Sequence, residues 1–178
     1  MSNKYKTGLY SFLKSKIFKS IKAAKVLLML VSFNLSAQEV LPASKFNEYK
    51  LSNTVLDSIY KPALHSDSLK AVFFKHDEQF TDAWTKMLQD LGDYLTMNNF
   101  KWDKPTWCFT KVYFNKKGGV DYFIYNFKED ATPLFKQREF DRHLKDFLKG
   151  YKFKSKYKPG IPFYQSGPVT FIDQHLKP

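Results

Sequence analysis

The sequence predicts an α+β domain, a three-stranded antiparallel sheet with two helices packed on one face. Apolar residues recur at helical spacing twice, at Phe80, Trp84, Leu88, Leu91 and Leu95 and again at Phe140, Leu144, Phe147 and Leu148. Between those stretches lie two runs rich in aromatic and branched residues, Thr106 to Asn115 and Val120 to Phe127. A third run, Gly167 to Ile172, follows the second helix. Two amphipathic helices need a common apolar surface, and a sheet of aromatic strands supplies one.

The first 37 residues read as an export signal. Seven lysines and no acidic residue precede Gln38, and Val26 to Leu35 is an apolar run of ten residues. A spanning helix needs roughly twenty, so a cleavable signal is expected in place of a permanent anchor. Ser36 and Ala37 are small residues ahead of Gln38, which sets the expected cut after Ala37 and the expected compartment as the periplasm or beyond. No Cys follows the apolar run that could accept a lipid, so no integral membrane segment is expected after cleavage. Of the 29 basic residues, seven precede Ala37, leaving 22 against 17 acidic ones in the remainder. That surplus is small, and a nucleic-acid face needs clustered and not merely excess cations, which together with export argues against a nucleic-acid partner. The lone Cys108 excludes an internal disulfide, and its place inside an apolar strand pattern predicts a core role.

Residues 38–76 form an N-terminal leader, with Pro42, Asn53, Pro62 and Ser66-Asp67-Ser68 interrupting short apolar pieces. One short helix is expected near Thr54 to Tyr60, and Leu69 to Phe74 is expected to be a strand. Residues 77–178 are the α+β domain. Asp77 and Glu78 suit the positive end of its first helix, and Asn98-Asn99 close it. Lys116-Lys117-Gly118-Gly119 supplies the positive dihedrals of a tight hairpin turn. Thr132-Pro133 reads as N-cap and first residue of the second helix, and Gly150 as the residue just past its end.

No catalytic constellation emerges. Histidines 65, 76, 143 and 175 lack a His or Cys partner at metal-ligand spacing, so neither metal nor cofactor is expected. Glu139 and His143, four apart on a helix, read as a solvated contact. Ser166-Gly167 lacks the strained elbow of a hydrolase, and Gly118-Gly119 is too short for a phosphate cradle. Tyr151 to Lys158 alternates aromatics with Lys152, Lys154, Lys156 and Lys158. The four lysines have two readings: contact with an envelope anion, or a charged extended edge that resists edge pairing while its aromatics cover the core.

From about Phe80 to Ile172 the order of features resembles the C-terminal domain of TonB-type energy transducers. The matching pieces are Asp93 to Trp102, Pro105, the hairpin Val112 to Asp121, Leu144 to Tyr151, Phe153, Pro159 to Phe163 and the closing Val169 to Ile172. The family's uncleaved membrane helix and long Pro-rich spacer have no counterpart here. The resemblance therefore implies a detached domain that binds and does not transmit force. It implies an outer-membrane or periplasmic protein as partner, held by backbone pairing at Val169, Thr170, Phe171 and Ile172. The alternative from another class is an exported enzyme whose site is assembled from scattered polar residues.

Overall fold

The computed structural model describes residues 38–46, 53–128 and 132–173, so the export segment expected at Met1 to Ala37 lies outside the described residues. The described elements are β1 (Glu39–Pro42), α1 (Ala43–Phe46), α2 (Asn53–Ile59), β2 (Lys61–Pro62), α3 (Asp77–Met97), β3 (Thr106–Phe114), β4 (Val120–Phe127), α4 (Leu134–Leu148) and β5 (Phe163–Phe171). The class is α+β. One sheet runs in the order β1-β4-β3-β5-β2. Its centre is the expected antiparallel trio, with β3 paired to β4 on one side and to β5 on the other. The sheet is wider than three strands, because β1 adds in parallel to β4 and β2 in parallel to β5. Strands of four and two residues are too short to print a period in the sequence.

Alternation along the strands divides the apolar residues between two faces. Cys108, Val112 and Phe114 of β3, Phe123, Tyr125 and Phe127 of β4, and Phe163 and Phe171 of β5 share one cluster with both long helices. From α3 it takes Phe80, Ala83, Met87, Leu91 and Leu95, and from α4 Phe140, Leu144 and Leu148. Trp84 and Phe147 pack on its margin, and Leu88 is half-buried, so the stripe of α3 is centred one residue away from the expected one. Each fully buried Leu or Phe in such a cluster stabilises the fold by about 1.5–3 kcal/mol.

The opposite face carries a smaller cluster of Leu41, Leu56, Tyr60, Tyr113 and Ile124, which α2 covers. Polar groups fix α2 in place. Asp57 accepts hydrogen bonds from the Lys111 ammonium at 2.8 and 2.9 Å and from the Tyr113 hydroxyl at 3.0 Å. The Tyr60 hydroxyl donates to Asp121 at 2.8 Å. Burial first, and then these carboxylates, push both phenols well above their ordinary range.

Two local expectations are corrected. Leu69 to Phe74 is a series of turns and not a strand: Leu69 is 93% exposed, and only Phe73 is buried. Asp67 organises the turns through its carbonyl, which accepts from Lys70 N–H, and its carboxylate, which accepts from Leu69 N–H. At α4 the N-cap is Pro133, in extended conformation, and Thr132 makes no side-chain cap. Gly150 does end that helix at φ +76°. In the hairpin turn only Gly118 takes a positive φ, +78°. Asn115 organises that turn, accepting N–H donors from Lys117 and Gly119 at 3.0 Å each.

Candidate functional site: the open edge of β5

Strand β5 is paired along its whole length on one side and only at its start on the other. Thr106 to Phe114 of β3 lie opposite Phe171 back to Phe163 without a register break. On the outer side β2 reaches only Phe163 and Tyr164. The backbone polarity follows from one bond: Ala63 N–H donates to the Tyr164 carbonyl at 2.8 Å, so Tyr164 turns its peptide groups outward. In an antiparallel ladder these groups alternate, so Ser166, Pro168 and Thr170 also face outward, while Gln165, Gly167, Val169 and Phe171 face β3. All three outward residues are exposed. The Gln165 side-chain amide donates to the Ser166 carbonyl at 3.1 Å, and no described strand pairs with the outer side beyond Tyr164. Pro168 has no N–H, and an outward-facing edge position is where a strand tolerates it.

The four residues expected to bind a partner are thereby divided. Thr170 presents N–H and C=O at the open edge, and Ile172 follows it, 40% exposed. Val169 is half-buried against the core, and Phe171 is buried, its ring stacked on Trp102 with centroids 5.0 Å apart. Asp173 closes the strand's far end. Its buried carboxylate accepts Trp102 N–H at 2.9 and 3.1 Å and Asp103 N–H at 3.0 Å.

Beside this edge lies an apolar shelf. Trp107 pairs with Thr170 and Phe109 with Pro168, which places both rings on the face away from α3 and α4. There α2 covers Tyr113, and Lys111 lies against it through Asp57, but Trp107 and Phe109 remain 44% and 41% exposed. Sequence reasoning missed this shelf and the outward Ser166 and Pro168. The signal for the shelf was present, since strict alternation in Thr106 to Phe114 sets Trp107 and Phe109 opposite Cys108 and Thr110.

The other candidates fall in different places. Lys152, Lys154, Lys156 and Lys158 all point outward from an extended segment that belongs to no strand, while Phe153 and Ser155 point inward. Lys154 lies 3.8 Å from Asp90. Cys108 is fully buried, and burial pushes its thiol up to about 12, the state of an inert core residue. His143 is buried against the rings of Tyr94 and Phe100. Among the described residues no group of three or more His, Cys, Asp or Glu side chains could hold a metal.

A cleft of about 440 Å³ opens at the opposite sheet edge, between β1 and α4. Its one carboxylate, Asp141, is taken up by the Lys145 ammonium at 2.6 Å and the Tyr125 hydroxyl at 3.3 Å. The lining holds no second carboxylate and no histidine beside it; its other ionisable groups are Lys45, Arg138, Lys145 and Tyr125. No described helix is long and apolar enough to cross a membrane. Comparison with known proteins gives no match, whether to a family model, a curated protein or a solved structure.

Proposed function

We propose that the chain is an exported binding module, working in the periplasm or beyond, that captures an extended segment of a partner protein by adding it to the outer edge of β5. One observation carries the reading: a stretch of open edge with outward N–H and C=O groups runs directly beside the exposed rings of Trp107 and Phe109. A strand added at such an edge gains affinity from main-chain hydrogen bonds and specificity from alternate side chains, which here would lie on the Trp107–Phe109 shelf. Large apolar groups exposed side by side on one face mark interaction surfaces more often than scattered single ones do. Ser166 and Thr170 each offer a donor and an acceptor, and Pro168 offers an acceptor only. The partner segment is therefore asked for two N–H acceptors and for carbonyl-directed donors at Pro168 and Thr170, while a donor to Ser166 shares or displaces the Gln165 amide that its carbonyl already accepts. The reading agrees with the resemblance to TonB C-terminal domains, in which an exported partner is held through a sheet edge, and it favours an outer-membrane or periplasmic protein as that partner.

The test is site-specific photocrosslinking in native envelopes with the reactive group at Ser166 or Thr170. Crosslinks from both positions to one extended segment of a single protein support the reading. Crosslinks obtained instead from the cleft at Arg138, with none from β5, would move the site to the other edge.

A further inference from the structure

We propose a second, separate site: a small oxyanion-binding pocket where the β3–β4 hairpin turn meets the extended segment after α4, taking a phosphate-type group either free or carried by a lipid. Phe153 N–H donates to the Gly118 carbonyl at 2.8 Å, which clamps that segment across the turn. The pocket between them has a volume of about 180 Å³. Liquid water occupies about 30 Å³ per molecule, and pockets for whole cofactors run from about 300 Å³ upward, so this one fits a head group and not a large ligand.

The pocket's chemistry selects the charge of that group. Lys116 and Lys117 come from the turn and Lys158 from the extended segment, and no acidic residue contributes to the lining. None of the three has an ion-pair partner among the described residues. The inner wall includes Phe73 and Phe153, both buried, while the three lysines stand exposed at its rim. Ser155 also lines the pocket, and its hydroxyl is buried, 5% exposed for the residue, with no hydrogen-bond partner among the described residues. Buried hydroxyls are nearly always paired, and an oxyanion would accept this one in a short charge-assisted bond while the lysines balance its charge. The alternating segment thus supplies a ligand-binding hydroxyl on its inward side, and of its four lysines only Lys158 takes part. This inference is independent of the β5 edge.

Isothermal titration of the full-length chain with inorganic phosphate, run alongside cosedimentation with phosphatidylcholine vesicles with and without phosphatidic acid, tests it. The variants are Lys117→Gln with Lys158→Gln, Ser155→Ala, and the control pair Lys152→Gln with Lys156→Gln, which removes equal charge outside the pocket. The pocket pair is expected to weaken binding by about tenfold or more and Ser155→Ala by severalfold, with the control pair near wild type. Binding of inorganic phosphate with that pattern assigns a free anion. Capture only by phosphatidic acid vesicles, with the same pattern, assigns a head group. Equal losses from the pocket and control pairs would reveal diffuse attraction and overturn the pocket, as would no binding in either assay.

Discussion

Asp173→Asn isolates what holds the working end of β5. The Asp173 carboxylate is buried and receives two backbone donors, Trp102 N–H across both oxygens and Asp103 N–H on one. An amide of the same shape keeps one acceptor oxygen and turns an NH₂ toward the remaining donor. With the oxygen in the Oδ2 place, the shorter Trp102 bond to Oδ1 is replaced by an N–H facing an N–H and the two bonds to Oδ2 lose their charge assistance, together a cost of about 1.5–3 kcal/mol. Asp173→Ala removes both acceptors and should cost more, about 2–4 kcal/mol once water reaches the partly exposed Asp103 amide. Against a total stability of about 5–15 kcal/mol either change is large. Urea unfolding monitored by tryptophan fluorescence measures it as a shift in midpoint at constant slope. Hydrogen exchange at the Trp102 amide should accelerate in parallel, because its acceptor is the group altered. An Asp173→Asn protein within about half a kcal/mol of wild type, with Trp102 exchange unchanged, would refute the argument that this carboxylate pins the loop to the end of β5.

Three further outcomes are expected. Leu144 is fully buried between α4 and the sheet, so Leu144→Ala should lose about 2–5 kcal/mol in the same urea assay, and a loss of under about half a kcal/mol would mean that the face is exposed. The His143 ring nitrogen Nε2 lies 2.9 Å from the Arg142 guanidinium, which only donates, so the imidazole is neutral there. Burial, then Arg142, lowers its pKa from the ordinary 6.5, outweighing the opposite pull of Glu139 and Asp146. The unfolded chain therefore takes up that proton first as pH falls, and stability should decline from about pH 6.5 downward, a decline that His143→Gln makes shallower; identical pH–stability slopes for the two proteins would contradict this. Mass spectrometry of the protein from native cells should find Gln38 or its neighbour at the N-terminus, and an intact Met1 on a membrane-bound product would remove the export reading.

What the sequence made legible follows its longest periods. The two long helices and the β3–β4 hairpin carry enough repeats for their faces to be read directly, and Val120 to Phe127 matches the expected strand. Met87 and Ala83 replaced Leu88 and Trp84 at the centre of α3 because a helical stripe is wide enough to be read one residue off. β1 and β2 were illegible for the opposite reason, since four and two residues cannot show alternation and their partners lie far along the chain. Leu69 to Phe74 misled because Val, Phe and Leu in a row read as a strand, yet one buried ring, Phe73, is all the core takes from it. At the candidate site, Thr170 was reachable from the position of Pro168. The direction of each peptide group was not, because it depends on the parity set by Ala63 and Tyr164, a contact about a hundred residues apart in sequence.

The central claim is that the outward peptide groups of β5 do the binding, and paired substitutions at Thr170 test it most directly. Thr170 N–H points away from β3, so Thr170→Pro removes a donor from the open edge without breaking the β3–β5 ladder, whereas Thr170→Val keeps the donor and changes only the side chain. Affinity for the partner that the wild-type chain captures from the envelope should fall by about tenfold with proline, near the upper end of one ladder hydrogen bond, and stay close to wild type with valine. Circular dichroism and the urea midpoint verify that both variants remain folded. Equal affinity of the folded proline and valine variants would contradict the account and exclude this edge as the binding surface.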